Sequence, residues 1–319
     1  MRRAYSFMKA LVTGGAGFIG SHLIDVLVKQ GHTVTCLDNF SSGRREFIEH
    51  NMDAITLVEG DLLDMDDVMR ALQDCDVVFH LAANPDVRSG ATDTKTHFDN
   101  NIVATYNLLE GMRKKGVRTI AFTSSSTVYG EASVIPTPED YAPLIPISIY
   151  GASKLASEAL ISAYCHTFDM NAVLYRFANV VGPRSTHGVI YDFIKKLRKD
   201  PETLEILGDG TQKKSYLYID DCIEAMLFGL EHAREKVAIY NIGSEEWTEV
   251  REIADIVSRE MGLSPSYRFT GGINGRGWKG DVKFMRLNID KLRTMGWKPR
   301  YSSNDAVTMT ARWLLGELL

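Results

Sequence analysis

Lys9-Ala-Leu-Val-Thr-Gly-Gly-Ala-Gly-Phe-Ile-Gly20 is the stretch that decides the fold. Its first five residues are a short apolar, strand-like run. Gly14, Gly17 and Gly20 follow at three-residue spacing, and a helical pattern continues from Ser21 to Gln30. Strand, glycine turn and helix in that order are the context a dinucleotide-binding fingerprint needs. Glycines let the chain turn sharply and let backbone approach a diphosphate, while the helix N-terminus offers free N–H groups and the positive end of its dipole. The G-x-x-G-x-x-G spacing differs from the simple G-x-G-x-x-G form. What lifts it above a bare tight turn is Asp38, which ends the next strand-like run eighteen residues beyond Gly20. A carboxylate there accepts from the adenosine ribose hydroxyls and repels a 2′-phosphate, so NAD is expected over NADP. Arg44 and Arg45, close by, pull the other way. Gly60-Asp61-Leu62 is placed to meet the adenine edge; the alternative is Asp61 as a helix N-cap.

Outward from this turn, short apolar runs alternate with helical patterns. Strand-like segments cover residues 33–38, 54–59, 77–81, 119–123 and 172–176, and helices are predicted over 66–72, 101–115 and 150–168. Apolar strands separated by helices imply a parallel sheet covered on both faces. The expected fold is α/β, a Rossmann-type doubly wound parallel sheet. After about residue 177 the alternation stops, and Gly, Pro and charged residues become frequent, as in Gly182-Pro-Arg184 and Gly275-Arg-Gly277. We expect an NAD-binding domain over residues 1–176, with 1–7 a loose extension before a second possible start at Met8. A smaller C-terminal α/β substrate domain is expected over 177–319, with some segments interleaved into the first.

Composition narrows the class further. The chain has 319 residues, 45% hydrophobic and 24% charged, with a net charge of −5, so no overall basic field argues for nucleic acid. No apolar run reaches the ~18 residues of a membrane span, and the N-terminal residues lack the apolar stretch of a secretory leader. Cys36, Cys75, Cys165 and Cys222 are scattered, which suggests a reducing cytoplasm and not a disulfide framework. The eight histidines show no metal-ligand spacing, so no metal is expected.

The chemistry-bearing stretch is Tyr150-Gly-Ala-Ser-Lys154, which sets a phenol and an ammonium on one face of a helix. A tyrosine with its ordinary pKa of ~10 is a poor base at neutral pH. A fixed positive charge nearby favours the phenolate and lowers that value. About 25 residues upstream, Ser124-Ser-Ser126 follows the fifth strand-like run, where substrates of open parallel sheets bind. A hydroxyl there could donate to a sugar or ketone oxygen; the alternative is that these hydroxyls cap turns.

Taken with Asp38-Asn-Phe-Ser-Ser-Gly43, His80-Leu-Ala-Ala83, Asn101, Ser124-Ser-Ser-Thr-Val-Tyr-Gly130, Arg176-Phe-Ala-Asn-Val-Val-Gly-Pro183 and Gly208-Asp-Gly-Thr-Gln212, these motifs run through most of the chain in one order. In that order they resemble the extended short-chain dehydrogenase/reductases, and within them the UDP-glucose (UDP-galactose) 4-epimerase family. The resemblance implies Ser125, Tyr150 and Lys154 as the catalytic set. Around NAD it implies Gly14, Gly17, Phe18, Ile19 and Gly20, then Asp38, Asn39, Ser41, Ser42 and Gly43. It adds Asp61, Leu62, Leu81, Ala82, Ala83, Asn101, Thr123, Tyr150, Lys154 and Tyr175. Around the sugar nucleotide it implies Ser125, Ser126, Tyr150, Asn179, Lys214, Tyr216, Arg276 and Asp281. His80 reads as a structural residue at a strand end, and Trp278 as packing or base stacking.

The implied reaction is reversible C4 epimerisation of a UDP-hexose through a transient 4-keto sugar, with the cofactor retained and the second domain devoted to the UDP half. Related dehydratases carry an Asp-Glu pair after the catalytic hydroxyl, and related decarboxylases a glutamate. Here Ser126, Thr127 and Val128 fill that place, so no carboxylate is available for elimination. Lys214 stands where many relatives have arginine, and Arg276 or Lys279 could serve the diphosphate. Met285 leaves N-acetylated sugars open. Rival readings are a 4-epimerase of UDP-GlcNAc or a UDP-uronic acid, a net sugar-nucleotide oxidoreductase, and a non-catalytic NAD-sensing regulator. Apolar residues on several faces of the helices at 101–115 and 150–168 (Ile102, Val103, Leu108, Leu109, Leu155, Leu160 and Ile161) would seam a homodimer, or lie in the monomer core.

Overall fold

A computed structural model describes residues 7–317. The expected N-terminal extension lies, except for Phe7, outside the described residues. In chain order the elements are β1 (Lys9–Thr13), α1 (Phe18–Lys29), β2 (Thr33–Asp38), β3 (Ile55–Glu59), α2 (Met65–Ala71), β4 (Val77–His80), α3 (Thr94–His97), α4 (Ala104–Lys115), β5 (Thr119–Ser125), α5 (Ile149–Thr167) and β6 (Asn171–Phe177). They continue as β7 (Asn179–Val181), α6 (Val189–Lys199), β8 (Thr203–Ile206), β9 (Lys213–Lys214), β10 (Tyr216–Tyr218), α7 (Ile219–His232), β11 (Val237–Ile242) and β12 (Thr248–Glu249). The last are α8 (Val250–Glu260), β13 (Ser266–Phe269), β14 (Phe284–Met285), α9 (Asp290–Met295) and α10 (Ser303–Glu317).

Two compact units divide these elements. The first comprises the chain up to Val128, Ile149–Arg176 and Ile223–Tyr240; the second comprises Tyr129–Ser148, Phe177–Cys222 and Asn241 onward. The expected division at residue 176, with later segments interleaved into the first domain, compares with a unit that ends one segment at Arg176 and takes in Ile223–Tyr240, while residues 129–148, assigned from sequence to the first domain, fall in the second unit.

The first unit holds a seven-stranded sheet in the order β11-β6-β5-β4-β1-β2-β3. β1 pairs parallel with both β2 and β4, β2 with β3, and β4 with β5. Strand order reverses at β1, so the crevice beyond the carboxyl ends of β1 and β4 is the topological switch point where such sheets bind ligands. Leu11, Val12, Val78, Phe79 and Phe122 are buried on its strands. One face is covered by a core to which Val68 and Leu72, Leu108 and Met112, and Ile161 and Cys165 contribute. Leu108, Leu109 and Ile161, counted from sequence toward a dimer seam, belong to this core. Asp64 caps α2 by accepting from Asp66 N, and Gly116 ends α4 in the left-handed conformation.

Two local departures place functional atoms. Ser124 and Ser125 are the last residues of β5, where the sequence suggested a loop. The helix expected over 101–115 starts at Thr94 and widens into a π turn over Phe98–Val103 before α4. Such a turn displaces one residue from the regular register, a device common at functional sites; here it buries Asn101.

In the second unit α6, α8 and α10 bury Phe193, Ile194, Leu197, Ile253, Val257, Val307 and Leu314 together. Short strands pair around them: β10 with β7, β13 with β8, and β9 between β12 and β14, with Lys214 opposite Met285. Asn241, fully buried, donates to the carbonyls of Thr137 and Asn288 and accepts from the Tyr129 hydroxyl, fastening the 129–148 segment to its unit.

Candidate active site

In the first unit the β1–α1 turn is shaped by close packing. Gly14 has φ +67°, and a Cβ on it would sit 2.8 Å from backbone atoms of Ala82. A Cβ on Gly20 would sit 2.2 Å from the Gly14 carbonyl oxygen. α1 begins after Gly17 with no side-chain cap, so a ligand can serve its first amides. Asp38 is buried and accepts from Ala16 N at 2.9 Å and Phe40 N at 2.8 Å. It therefore props up the glycine turn as well as standing where a ribose would arrive. Burial raises its pKa, opposed by those two amides. A Cβ on Gly43 would press on the same carboxylate, 2.9 Å from its Oδ1.

Asn39 donates to Asp61 Oδ2, and Asp61 Oδ1 accepts from Leu63 N. Asp61 does not cap a helix, since Asp64 caps α2. The Leu62 side chain is in the core, so only its backbone could meet a ligand. Leu81 and Ala82 are tied to β1 through the Thr13 hydroxyl, at 3.2 Å each. Phe18, Ile19, Ser41, Ser42 and Ala83 retain exposure along this rim. Tyr175 does not join it: the ring is fully buried and its hydroxyl donates to Met226 O. Its side chain packs in the core, so, as for Leu62, only its backbone could meet a ligand.

The chemistry-bearing groups meet at the end of β5. Lys154 Nζ donates to Thr123 O at 2.9 Å, Ser124 Oγ donates to Glu158, and Ser125 is hydrogen-bonded to Tyr150. Three consecutive strand residues thus engage three helix residues spaced four apart. Ser125 Oγ accepts from Thr127 Oγ1 at 2.9 Å and Thr127 N at 3.2 Å, which leaves its own proton for Tyr150. Ser126 opens the short turn that follows.

Lys154 is buried with its ammonium 4.9 Å from the Phe122 ring centre and 5.8 Å from that of Tyr150. Burial lowers its pKa to about 7, with Glu158 acting in the opposite direction. Burial around the Tyr150 hydroxyl raises that pKa to about 12, against the pull of Ser125. The sequence suggested a lowered phenol. Desolvation outweighs the lysine, whose ammonium is engaged by Thr123 O.

Asn101 accepts from Asn84 N and donates to Ser153 Oγ, both at 2.8 Å, so it braces α5 one residue before Lys154. His80 is a structural residue: its ring nitrogens bond the hydroxyls of Thr13 and Thr105, and burial lowers its pKa to about 3. Sequence reasoning missed His97, which is buried edge-on to the Tyr150 ring at 5.8 Å, and Thr127. It also missed Glu158, an acid eight residues beyond Tyr150 on an otherwise inward face.

The second unit carries the remaining expected contacts. Asn179 is half-buried at the start of β7. Lys214 Nζ donates to Asp281 Oδ1 at 2.5 Å and lies 5.1 Å from the centre of the Trp278 ring. Asp281, 2% exposed, also accepts from Gly277 N. Its carboxylate is the counter-ion that positions Lys214. Tyr216 is buried at the edge of the second unit's core, close enough to Asp281 for the carboxylate to act on its phenol. Arg276 is ion-paired with Glu131, Lys279 is exposed and Met285 is 8% exposed on β14. Among the described residues no metal-binding cluster occurs, and no helix is long and apolar enough to cross a membrane.

Comparison with known proteins gives a consistent picture. The UDP-glucose 4-epimerase of Mycolicibacterium smegmatis is 33% identical over 315 residues, spanning 96% of this chain and 98% of that protein. A UDP-galactose 4-epimerase crystal structure superposes with a TM-score of 0.88 at 47% identity, over 98% of this chain and all of that one. A Bacillus cereus UDP-glucuronic acid 4-epimerase, solved with UDP-glucuronic acid and NAD, matches with a TM-score of 0.88 at 32% identity, covering 98% and 100%. Residues 10–243, which hold the glycine turn, Asp38 and the Ser125–Tyr150–Lys154 group, match the NAD dependent epimerase/dehydratase family, and the chain belongs to that family.

Proposed function

We propose that this enzyme interconverts UDP-galactose and UDP-glucose by inverting C4 through a transient 4-keto sugar, with NAD retained between half-reactions. The observation that carries the reading is the Tyr150 hydroxyl hydrogen-bonded to Ser125 with the Lys154 ammonium 5.8 Å from its ring centre, followed by Ser126, Thr127 and Val128 with no carboxylate. That is the equipment for moving one proton and one hydride, and it lacks a group for elimination or decarboxylation. The 47% identity to a UDP-galactose 4-epimerase supports the choice of hexose.

Gly14, Gly17 and Gly20 with the α1 N-terminus would hold the NAD diphosphate, Asp38 the adenosine ribose, and Tyr150 and Lys154 the nicotinamide ribose. The chemistry NAD supplies is hydride acceptance and return, together with the positive charge of its oxidised ring. Tyr150 takes the proton of the C4 hydroxyl and gives it back after the sugar has turned. Ser125 donates to the same oxygen, and Lys154 stabilises the phenolate. Asn179, Lys214 and Arg276 would hold the UDP half, which leaves the hexose loosely held and able to present either face.

Exposed Phe98, Tyr106 and Phe168, on and beside the helices around α4 and α5, support self-association as a homodimer. Four free cysteines support a reducing, cytoplasmic setting.

The test is incubation of the purified protein with UDP-galactose and no added cofactor, following UDP-glucose by chromatography and NADH by absorbance. UDP-glucose without net NADH is the expected result. No conversion even with NAD supplied, alongside turnover of UDP-GlcNAc or UDP-glucuronate, would move the substrate and leave the chemistry in place. Net NADH release would overturn epimerisation.

A further inference from the structure

Glu158 lies on α5 one turn beyond Lys154 and two beyond Tyr150. It is 5% exposed, and its partner Arg176 on β6 is 3% exposed. The guanidinium grips the carboxylate as a fork, Nε to Oε1 at 3.0 Å and Nη2 to Oε2 at 2.7 Å. Oε1 also accepts from Ser124 Oγ. An ion pair buried this deeply adds little or nothing to stability over packed apolar side chains of the same volume. Its place at this point therefore calls for another account.

The neighbours of Ser124 provide one. Thr123 accepts from Lys154 and Ser125 is bonded to Tyr150. A carboxylate that fixes Ser124 fixes the strand end presenting both. The geometry points to Glu158 as a positioning residue for the reaction: clamped by Arg176, its carboxylate holds the end of β5, and with it the groups that engage Lys154 and Tyr150, against α5. This rests on the reading of Tyr150 as the base.

The electrostatics run the same way. Burial lowers the Lys154 pKa to about 7, and Glu158 is the charge that acts against it. The other titratable and charged groups around the ammonium are Tyr150 on α5, His80 at the end of β4, His97 before the π turn, and Arg176. His80 and His97 both have their pKa lowered by burial and by Lys154 itself, so neither supplies a compensating charge. Glu158→Gln leaves the Arg176 charge in place and removes the carboxylate. Lys154 then loses its proton at lower pH, the phenolate loses its counter-charge, and Tyr150 ionises at higher pH.

The experiment uses the NAD-loaded enzyme and two readouts. One is the pH profile of kcat and KM for UDP-galactose conversion. The other is the tyrosinate difference absorbance of Tyr150, isolated against Tyr150→Phe and independent of turnover. In E158Q the acid limb and the tyrosinate titration both move up by about one pH unit, kcat at neutral pH falls about tenfold, and KM stays within about twofold. E158D, which keeps the charge, restores both toward the wild type. E158Q/R176M removes both ions, so no charge is stranded in the fold; it shows the same displacement, reduced in size. A limb and titration that stay in place in E158Q or in the double variant, with kcat lost only in proportion to folded protein, would overturn the assignment. If the wild type converts no UDP-hexose, the tyrosinate titration decides for or against Glu158 alone.

Discussion

Lys154 Nζ donates to Thr123 O at 2.9 Å, and this bond sets the working position of a charge buried in the first unit. Its folded pKa, about 7, lies below the ~10.4 of an unfolded lysine. Between those values the unfolded chain binds the extra proton, so stability rises with pH across this window. The penalty is complete below the folded value and gone above the unfolded one. Lys154→Met removes it at the loss of one hydrogen bond. Expected is a Tm about 2–6 °C above wild type below neutral pH, the gap closing toward alkaline pH, while epimerisation falls at least about 100-fold. Calorimetry across pH and an assay at neutral pH check both parts; a gap that does not change with pH would contradict the burial argument.

Thr127 directs Ser125. Its hydroxyl and amide both donate to Ser125 Oγ, so the serine proton is turned toward Tyr150. Thr127→Val removes one of the two bonds and is expected to lower kcat about 3–10-fold with KM little changed. Ser125→Ala should lower kcat about 100-fold, because it deletes the donor to the reacting oxygen. In the double variant the Thr127 effect should vanish, since it acts through Ser125. Additive losses would mean that Thr127 acts independently.

Gly20→Ala should fail for a packing reason. The added Cβ would stand 2.2 Å from the Gly14 carbonyl, which is backbone and part of the cofactor turn. Overpacking of this kind costs about 1–3 kcal/mol. Urea unfolding should show that loss, and the purified variant should carry much less NAD than wild type. Full cofactor content at unchanged stability would mean that the turn is softer than its contacts indicate.

What the sequence disclosed follows from how local each signal is. The glycine turn with Asp38, and Tyr150 with Lys154, are short-range patterns on a strand-to-turn or a single helix, and the parallel sheet class followed from strands alternating with helices, though not its strand order. What stayed hidden depends on long separations. β11 returns to the first unit's sheet after a passage through the second unit, and no local pattern marks that return. Tyr175 and Tyr216 have side chains that suit a ligand, yet both are buried; residue type does not report burial. Glu158 and Arg176 sit on different elements, and Asp281 reaches Lys214 across 67 positions. The π turn that buries Asn101 has no periodic signature.

Arg276 is held by Glu131 within the second unit, with the two side chains 26% and 46% exposed. A pair this open is worth only about 0–1 kcal/mol. Under the proposed function Arg276 exchanges that carboxylate for the UDP diphosphate, which offers a doubly charged, bidentate partner. Glu131→Gln frees the arginine beforehand, so KM for UDP-galactose should fall about 2–5-fold at unchanged kcat, most visibly at low salt. Arg276→Met should raise KM about 10–100-fold. Steady-state kinetics at two ionic strengths, paired with calorimetric titration of UDP, separates binding from chemistry. A KM that rises in E131Q would show Glu131 supporting Arg276 instead of competing for it, and an unchanged KM in R276M would hand the diphosphate to Lys214 or Lys279.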